Sequence, residues 1–115
     1  MTVQVRRVYD EPRPDDGDRV LIDGMWPRGV RKDALDHTEW LRDIAPSKEL
    51  RSWFGHRPER FAEFRRRYRA ELDHGERAAA LRQLREYADR DLTLLTATKD
   101  VDHSHAAVLA ELLRG

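Results

Sequence analysis

The sequence predicts an α/β fold with a small parallel or mixed sheet of about three to four strands, flanked by about five helices. Short apolar or β-branched runs near both ends of the chain indicate strands, and segments with apolar residues at helical spacing lie between them. Prolines and glycines separate these segments. At 115 residues the chain has the usual length of one domain, so we expect a single α/β domain over residues 1–115.

Three segments have the pattern of strands. Residues 3–8 alternate valine with polar side chains, which is typical of an edge or near-edge strand exposed on one side. Residues 19–23 are apolar at their centre and predict a short buried strand, and the β-branched and apolar content of residues 92–97 predicts a central one. The prolines, glycine and aspartates of residues 11–18 predict a loop. We expect the two buried strands to be parallel neighbours joined by a right-handed crossover.

Two short helices are expected in the middle of the chain. Thr38 is predicted to cap a helix over residues 39–44, which Pro46 ends. Ser47 is predicted to cap the next helix. The apolar side chains of this helix fall on one face: Leu50, Trp53 and Phe54.

Three longer helices follow. The clearest amphipathic segment is residues 58–72, with Pro58 in its first turn. Its inward side chains recur at spacings of three, four and four: Phe61, Phe64, Tyr68 and Leu72. Further helices are expected over residues 76–88 and 106–114. The last is apolar almost all round, so we expect it to pack on more than one side.

The composition excludes several classes of function. The 22 basic and 22 acidic residues balance, which argues against a dedicated polyanion binder, because non-specific nucleic-acid affinity needs a local excess of cations. The absence of cysteine excludes disulfides, thiolate nucleophiles and thiolate metal ligands. No segment has the roughly 20 apolar residues of a membrane span, and the amino terminus lacks the apolar region of a signal peptide. We therefore expect a cytoplasmic protein without membrane contact.

No motif with strong chemical meaning occurs in the chain. There is no phosphate-binding loop of the P-loop or dinucleotide type, no nucleophile elbow and no HExxH spacing, so we expect no cofactor and no metal. His103 and His105 are two residues apart, which places them on different faces of a helix and argues against a shared metal. Whether the protein is an enzyme stays open at this point.

Four sequence blocks carry a resemblance to a known family: DGMWPRG at 23–29, APS at 45–47, FGH at 54–56 and LLTATKD at 94–100. On these blocks the chain resembles the bacterial YeaO-like family, catalogued as domain of unknown function 488. The resemblance covers nearly the whole chain and implies an α/β fold but no established reaction. It also implies an arginine where this chain has Gly24, and an asparagine where it has Ser104. If that arginine belongs to an anion site, this chain lacks one ligand.

We expect a ligand site where the carboxyl ends of the two buried strands meet. Trp26 and Arg28 offer an aromatic wall and a guanidinium group, and Lys99 precedes the start of the last helix, where free N–H groups favour anions. With Asp100 they are the predicted ligand-binding residues. Asp23 and His103 are the candidates for acid/base chemistry. The predicted ligand is an anionic small molecule, nucleotide-like or phosphate-bearing.

Other interpretations of the same residues stay open. Trp26 and Pro27 are also suited to closing the end of the core, and Asp102 or Ser104 to capping the last helix. The arginine-rich face of residues 58–72 could serve a nucleic-acid-binding or regulatory module. Trp40 or Trp53 could lie at the interface of a homodimer, so the chain is expected to be a monomer or a homodimer.

Overall fold

The computed structural model describes residues 2–115 and contains one sheet of four parallel strands. The strands are β1 (Val3–Arg7), β2 (Asp18–Leu21), β3 (Glu39–Trp40) and β4 (Leu92–Thr96). The α-helices are α1 (Lys48–Phe54), α2 (Phe61–Glu71), α3 (Gly75–Tyr87) and α4 (His105–Arg114). Single 3-10 turns cover Arg42–Ile44, Pro58–Arg60 and Val101–His103. The α/β prediction is confirmed, with four helices in the described residues in place of about five.

The strand order is β1-β4-β2-β3, so the segments predicted as edge and central strands occupy those positions. All five residues of β4 are buried, and β4 pairs with β1 on one side and with β2 on the other. The two buried strands are therefore parallel neighbours, as expected. β1 is half-buried along its whole length, because its valines pack on the helical core while Gln4 and Arg6 enter a polar cluster.

The helix predicted over residues 39–44 was wrong. The Thr38 N–H donates to the Arg19 carbonyl at 2.6 Å, and the Leu41 N–H donates to the Leu21 carbonyl at 2.9 Å. These bonds add β3 to the edge of β2, and only Arg42–Ile44 then forms a helical turn. Thr38 uses its hydroxyl to accept from the Arg19 N–H at 3.1 Å, so it serves the sheet and caps no helix.

The remaining helices match the predicted ones to within a few residues. Ser47 caps α1, because its hydroxyl accepts from the Leu50 N–H at 3.1 Å. Pro58 starts the 3-10 turn that leads into α2. Within residues 2–115, no helix combines the length and the apolar character needed to cross a membrane.

The two faces of the sheet are covered differently. The four helices cover one face, and their side chains form a core with those of Val20, Ile22 and Leu94. The other face carries Leu21 and Leu95, which pack with side chains from the long segment that follows β2. The carboxyl ends of β2 and β4 consequently lie between the helical layer and this segment.

A polar cluster occupies the second face toward the start of β2. Asp16 is 1% exposed and accepts hydrogen bonds from Gln4, from Arg6 and from the Arg13 N–H at 3.2, 3.1 and 2.9 Å. The buried Arg19 also donates to its carboxylate. Burial alone would raise the pKa of Asp16, but the Arg13 hydrogen bond and the Arg19 and Arg6 guanidinium groups lower it overall.

Candidate ligand-binding cavity

A cavity of about 340 Å³ lies at the carboxyl ends of β2 and β4; we call it the main cavity. Its walls come from residues 23–28, from α1 and the loop after it, and from the start of α4. Apolar lining side chains include Met25, Trp26, Pro27, Phe54, Phe64 and Ala97. Polar ones include Asp23, Arg28, Arg51, His56, His103 and His105. The position agrees with the rule that ligands of parallel α/β sheets bind beyond the strand ends.

Asp23 ties the end of β2 to the end of β4. Its carboxylate accepts from the Thr96 hydroxyl at 2.8 Å, from the Ala97 N–H at 2.8 Å and from His105 Nε2 at 3.1 Å. Burial alone would raise the pKa of Asp23, but hydrogen bonds from His105, Ala97 and Thr96 lower it overall. A carboxylate held in its charged form by three donors is a weak proton acceptor, so Asp23 is better suited to positioning its neighbours than to general-base chemistry.

The histidine beside Asp23 is His105, at the first position of α4. Its Nε2 lies 3.1 Å from the Ile22 carbonyl and 3.1 Å from Asp23 Oδ1. Both partners are acceptors, so we assign the proton to Nε2. The ring meets Tyr68 edge-on at 6.2 Å between centroids, and the Tyr68 hydroxyl donates to the Ile44 carbonyl at 2.6 Å. His105 Nδ1 has no hydrogen-bond partner in residues 2–115, which leaves it free for a ligand.

His103 also lines the main cavity but is paired elsewhere. Its Nδ1 lies 2.9 Å from Asp100 Oδ2, with 43% and 50% of the two side chains exposed. His103 thus pairs with Asp100, whereas Asp23 pairs with His105.

Lys99 and Asp100 are exposed and stand outside the part of the chain that lines the main cavity. The chain turns outward after Thr98 into the Val101–His103 turn. Because of this outward turn, Lys99 does not line the main cavity. Arg28, which follows β2, does line it.

Trp26 is both a cavity wall and a core side chain. Its indole N–H donates to the Val30 carbonyl at 2.7 Å. Its ring meets Trp40 and His37 edge-on, with centroids 5.3 and 5.4 Å away. These contacts fix the ring, so one wall of the main cavity is aromatic and already in place before any ligand arrives.

The main cavity holds two arginines without acidic partners. Neither Arg28 nor Arg51 lies within 4.0 Å of a carboxylate of residues 2–115, and both are exposed. Arg51 comes from α1 and approaches the backbone after β2, with Nη1 3.8 Å from the position that a Cβ on Gly24 would occupy. The sequence does not single out Arg51, because nothing local distinguishes it from other exposed arginines. Only the packing of α1 beside Gly24 does so.

His56 also lines the main cavity. Its φ is 57°, the one positive value among the non-glycine residues that the structure describes. It follows Gly55, which ends α1 in the left-handed conformation. Left-handed backbone at a non-glycine residue costs about 1–3 kcal/mol, and such strain is found most often at functional sites.

Four arginines on the arginine-rich surface of α2 take part in ion pairs with two glutamates. Glu63 pairs with Arg66 and Arg67 at 2.5 and 2.8 Å, and their hydrogen bonds lower the pKa of Glu63 to about 2. Glu111 of α4 pairs with Arg65 and Arg69 at 3.3 and 3.6 Å.

Residues 2–115 contain no group of three or more potential ligands that could hold a metal ion.

The two tryptophans considered for an interface are partly covered. The guanidinium groups of Arg60 and Arg67 lie 5.3 and 4.4 Å from the centre of the Trp53 ring. Trp40 donates its indole N–H to the Asp23 carbonyl at 2.7 Å, and Arg42 lies 4.3 Å from its ring. Both rings are half-buried and take part in contacts within the chain.

Fold and cavity together define a small parallel α/β protein with a ligand-sized cavity at its strand ends. The chain belongs to the DUF488 family: the family described as "Inactive DUF488-N3 subclade" matches residues 2–115. It is 54% identical over 114 residues to the uncharacterized protein Rv3073c of Mycobacterium tuberculosis H37Rv, covering 98% of this chain and 94% of that protein. It is 42% identical over 115 residues to the uncharacterized protein YeaO of Escherichia coli K12, covering 99% and 98%. No solved structure matches.

Proposed function

We propose that this protein is a cytoplasmic binding protein whose ligand is a small organic anion, nucleotide-like or phosphate-bearing, held in the main cavity. One observation carries the proposal: Arg28 and Arg51 stand at a cavity of about 340 Å³ without an acidic partner in residues 2–115. This volume is within the range of small-molecule sites, roughly 300–1,000 Å³.

The balance of charge in the main cavity favours an anion. Asp23 is its one acidic lining residue, and that carboxylate already accepts from three donors. The two arginines are therefore free to form charge-assisted hydrogen bonds with a phosphate or carboxylate, which the planar guanidinium group binds through two N–H groups. His105 Nδ1 can accept a hydrogen bond from a donor group of the ligand, and His56 adds a second imidazole.

The apolar wall favours a ligand with a flat or hydrophobic body. Trp26, Phe54 and Phe64 supply aromatic surface, and Met25 is 73% exposed beside them. An unbranched methionine at the edge of a cavity can adapt its shape to a bound molecule. Inorganic anions alone would leave this surface unused, so an aromatic or nucleoside-like body is the better fit.

The name of the matching subclade, which describes it as inactive, supports binding without turnover.

The second candidate function is acid/base catalysis, and the Asp23–His105 pair favours it. If a reaction occurs, Asp23 orients the imidazole, His105 Nδ1 transfers the proton, and the arginines hold the negative charge. The alternative nucleic-acid interface on α2 has less support, because ion pairs occupy four of its arginines.

Calorimetric titration with AMP, phenyl phosphate and inorganic phosphate tests the proposal. We expect the two organic anions to bind more tightly than phosphate, and Arg28→Ala and Arg51→Ala each to weaken their binding about tenfold or more. Arg82→Ala is the matched control, because Arg82 is an exposed helical arginine that forms no ion pair within residues 2–115 and lies outside the main cavity. Equal affinity of all three variants for AMP would rule out this site.

A further inference from the structure

A second, smaller cavity of about 240 Å³ adjoins the main cavity; we call it the side cleft. Four residues line both of them: Gly24, Ala45, Pro46 and Arg51. Arg51 therefore stands at the boundary, where its guanidinium group is accessible from either side. A ligand that contacts Arg51 from the main cavity has the side cleft directly beyond it.

The side cleft has an excess of positive charge. Its basic lining residues are Arg42, Lys48, Arg51 and Arg77, and its acidic ones are Asp43 and Glu76. Arg77 is already engaged, since it donates to the Ala45 carbonyl at 2.8 Å and lies 3.8 Å from Glu71. Lys48 and Arg51 have no acidic partner within 4.0 Å in residues 2–115. These two cations are consequently available to a second anionic group.

Gly24 keeps the boundary between the two cavities open. A Cβ at this position would lie 3.3 Å from Ala45 Cβ and 3.8 Å from Arg51 Nη1, both of which belong to the shared boundary. The backbone of Gly24 is not in the left-handed region, so its conformation does not itself require glycine. Because glycine has no side chain, it leaves space between Ala45 and Arg51. A longer side chain at this position would extend into the boundary between the two cavities.

We infer that the ligand carries two adjacent anionic groups, as a nucleoside diphosphate does. This inference rests on the proposed function of the main cavity. The nucleoside lies against the aromatic wall, the first phosphate is bound between Arg28 and Arg51, and the second passes Gly24 to reach Lys48. Arg51 contacts both phosphates, which is why its position at the boundary matters.

Comparison of AMP and ADP in magnesium-free buffer tests the inference. We expect the wild-type protein to bind ADP about tenfold more tightly than AMP, because the second phosphate gains a charge-assisted contact with Lys48. Lys48→Ala should reduce ADP affinity to that of AMP and leave AMP affinity unchanged. Lys99→Ala removes the same charge from an exposed position outside both cavities and should preserve the difference.

A second variant tests the passage without changing charge. Gly24→Gln should reduce ADP affinity more than AMP affinity and so remove the preference for ADP, and circular dichroism checks that it folds. Gly24→Ala, which needs Ala45 to shift by only a few tenths of an ångström, serves if the larger side chain prevents folding. Equal affinities for AMP and ADP in the wild type, or an ADP preference that survives Lys48→Ala, would overturn the inference and leave the proposed function intact. Failure of both nucleotides to bind would instead overturn the proposed function.

Discussion

Asp23 Oδ1 and His105 Nε2 lie 3.1 Å apart, joining the segment that follows β2 to the first residue of α4. Together with the Thr96 and Ala97 hydrogen bonds, this contact ties the segment after β2 to the end of β4 and the start of α4, all of which line the main cavity. The same contact fixes the imidazole ring of His105. Its Nδ1 has no partner in the described residues, so this nitrogen is the one left for a ligand. The geometry of the main cavity therefore depends on one carboxylate.

Asp23→Asn should destabilise the protein by about 1–3 kcal/mol. The amide has one acceptor oxygen in place of two carboxylate oxygens, so it cannot accept from Thr96, Ala97 and His105 together. The free energy of unfolding in urea measures the loss. The control is Asp100→Asn at an exposed side chain, and equal effects of the two substitutions would contradict the role given to Asp23.

Asp16→Ala should be more damaging, at about 3–5 kcal/mol, because it leaves Arg19 charged in a nearly inaccessible position. Side-chain exposure in that pair is only 5% for Arg19 and 2% for Asp16. The matched control is Asp33→Ala, which breaks an ion pair with Arg31 that is 3.2 Å long and more than two-thirds exposed on both sides. Urea unfolding of the control should be close to that of the wild type, since exposed pairs contribute little.

Stability should fall in acid because folding lowers the pKa of both Asp16 and Asp23 below the ordinary value of 3.8. A carboxyl whose pKa is lower in the folded state stabilises that state above pH 3.8. This contribution is lost as the pH falls from about 3.8 through the folded-state pKa. Urea unfolding between pH 7 and pH 2.5 measures the effect. Asp23→Asn should have a shallower pH dependence than the wild type, and an unchanged slope would count against the lowered pKa.

His56→Gly should stabilise the protein slightly, by about 0.5–1 kcal/mol, while it weakens AMP binding. Glycine adopts a φ of 57° without strain, but it removes the imidazole from the main cavity. Thermal unfolding and calorimetry on the same variant separate the two effects. His74→Gly is the control, because His74 has an ordinary φ of −134° and lies outside the main cavity, so neither the gain in stability nor the loss of AMP affinity is expected. Loss of stability in His56→Gly with unchanged AMP affinity would show that the residue is only structural.

The parts of the fold with strong periodicity were predictable from sequence. The amphipathic spacing of α2 and the apolar run of β4 indicate their structures locally, and the order of buried strands implies a parallel pair. β3 was not predictable, because a strand of only two residues, Glu39 and Trp40, is too short to have a recognisable hydrophobic alternation. They are extended through pairing with β2, a contact that depends on the rest of the chain.

The candidate site was only partly predictable for a similar reason. The rule for strand ends placed Asp23, Trp26 and Arg28 at the main cavity, because they directly follow β2. It also suggested Lys99, but the direction of the chain after β4 is set by the Val101–His103 turn, which has no clear sequence signal. Arg51 and His105 reach the main cavity through helix packing, which no local pattern reports.

The most direct measurement is an NMR titration of the protein with AMP that follows the arginine side-chain Nε–H resonances. Single Arg28→Ala, Arg51→Ala and Arg82→Ala variants assign the relevant signals. The proposal predicts that the Arg28 and Arg51 resonances shift together and saturate with one dissociation constant, while the Arg82 resonance stays in place. Shifts confined to the arginines of α2, with Arg28 and Arg51 unaffected, would contradict it.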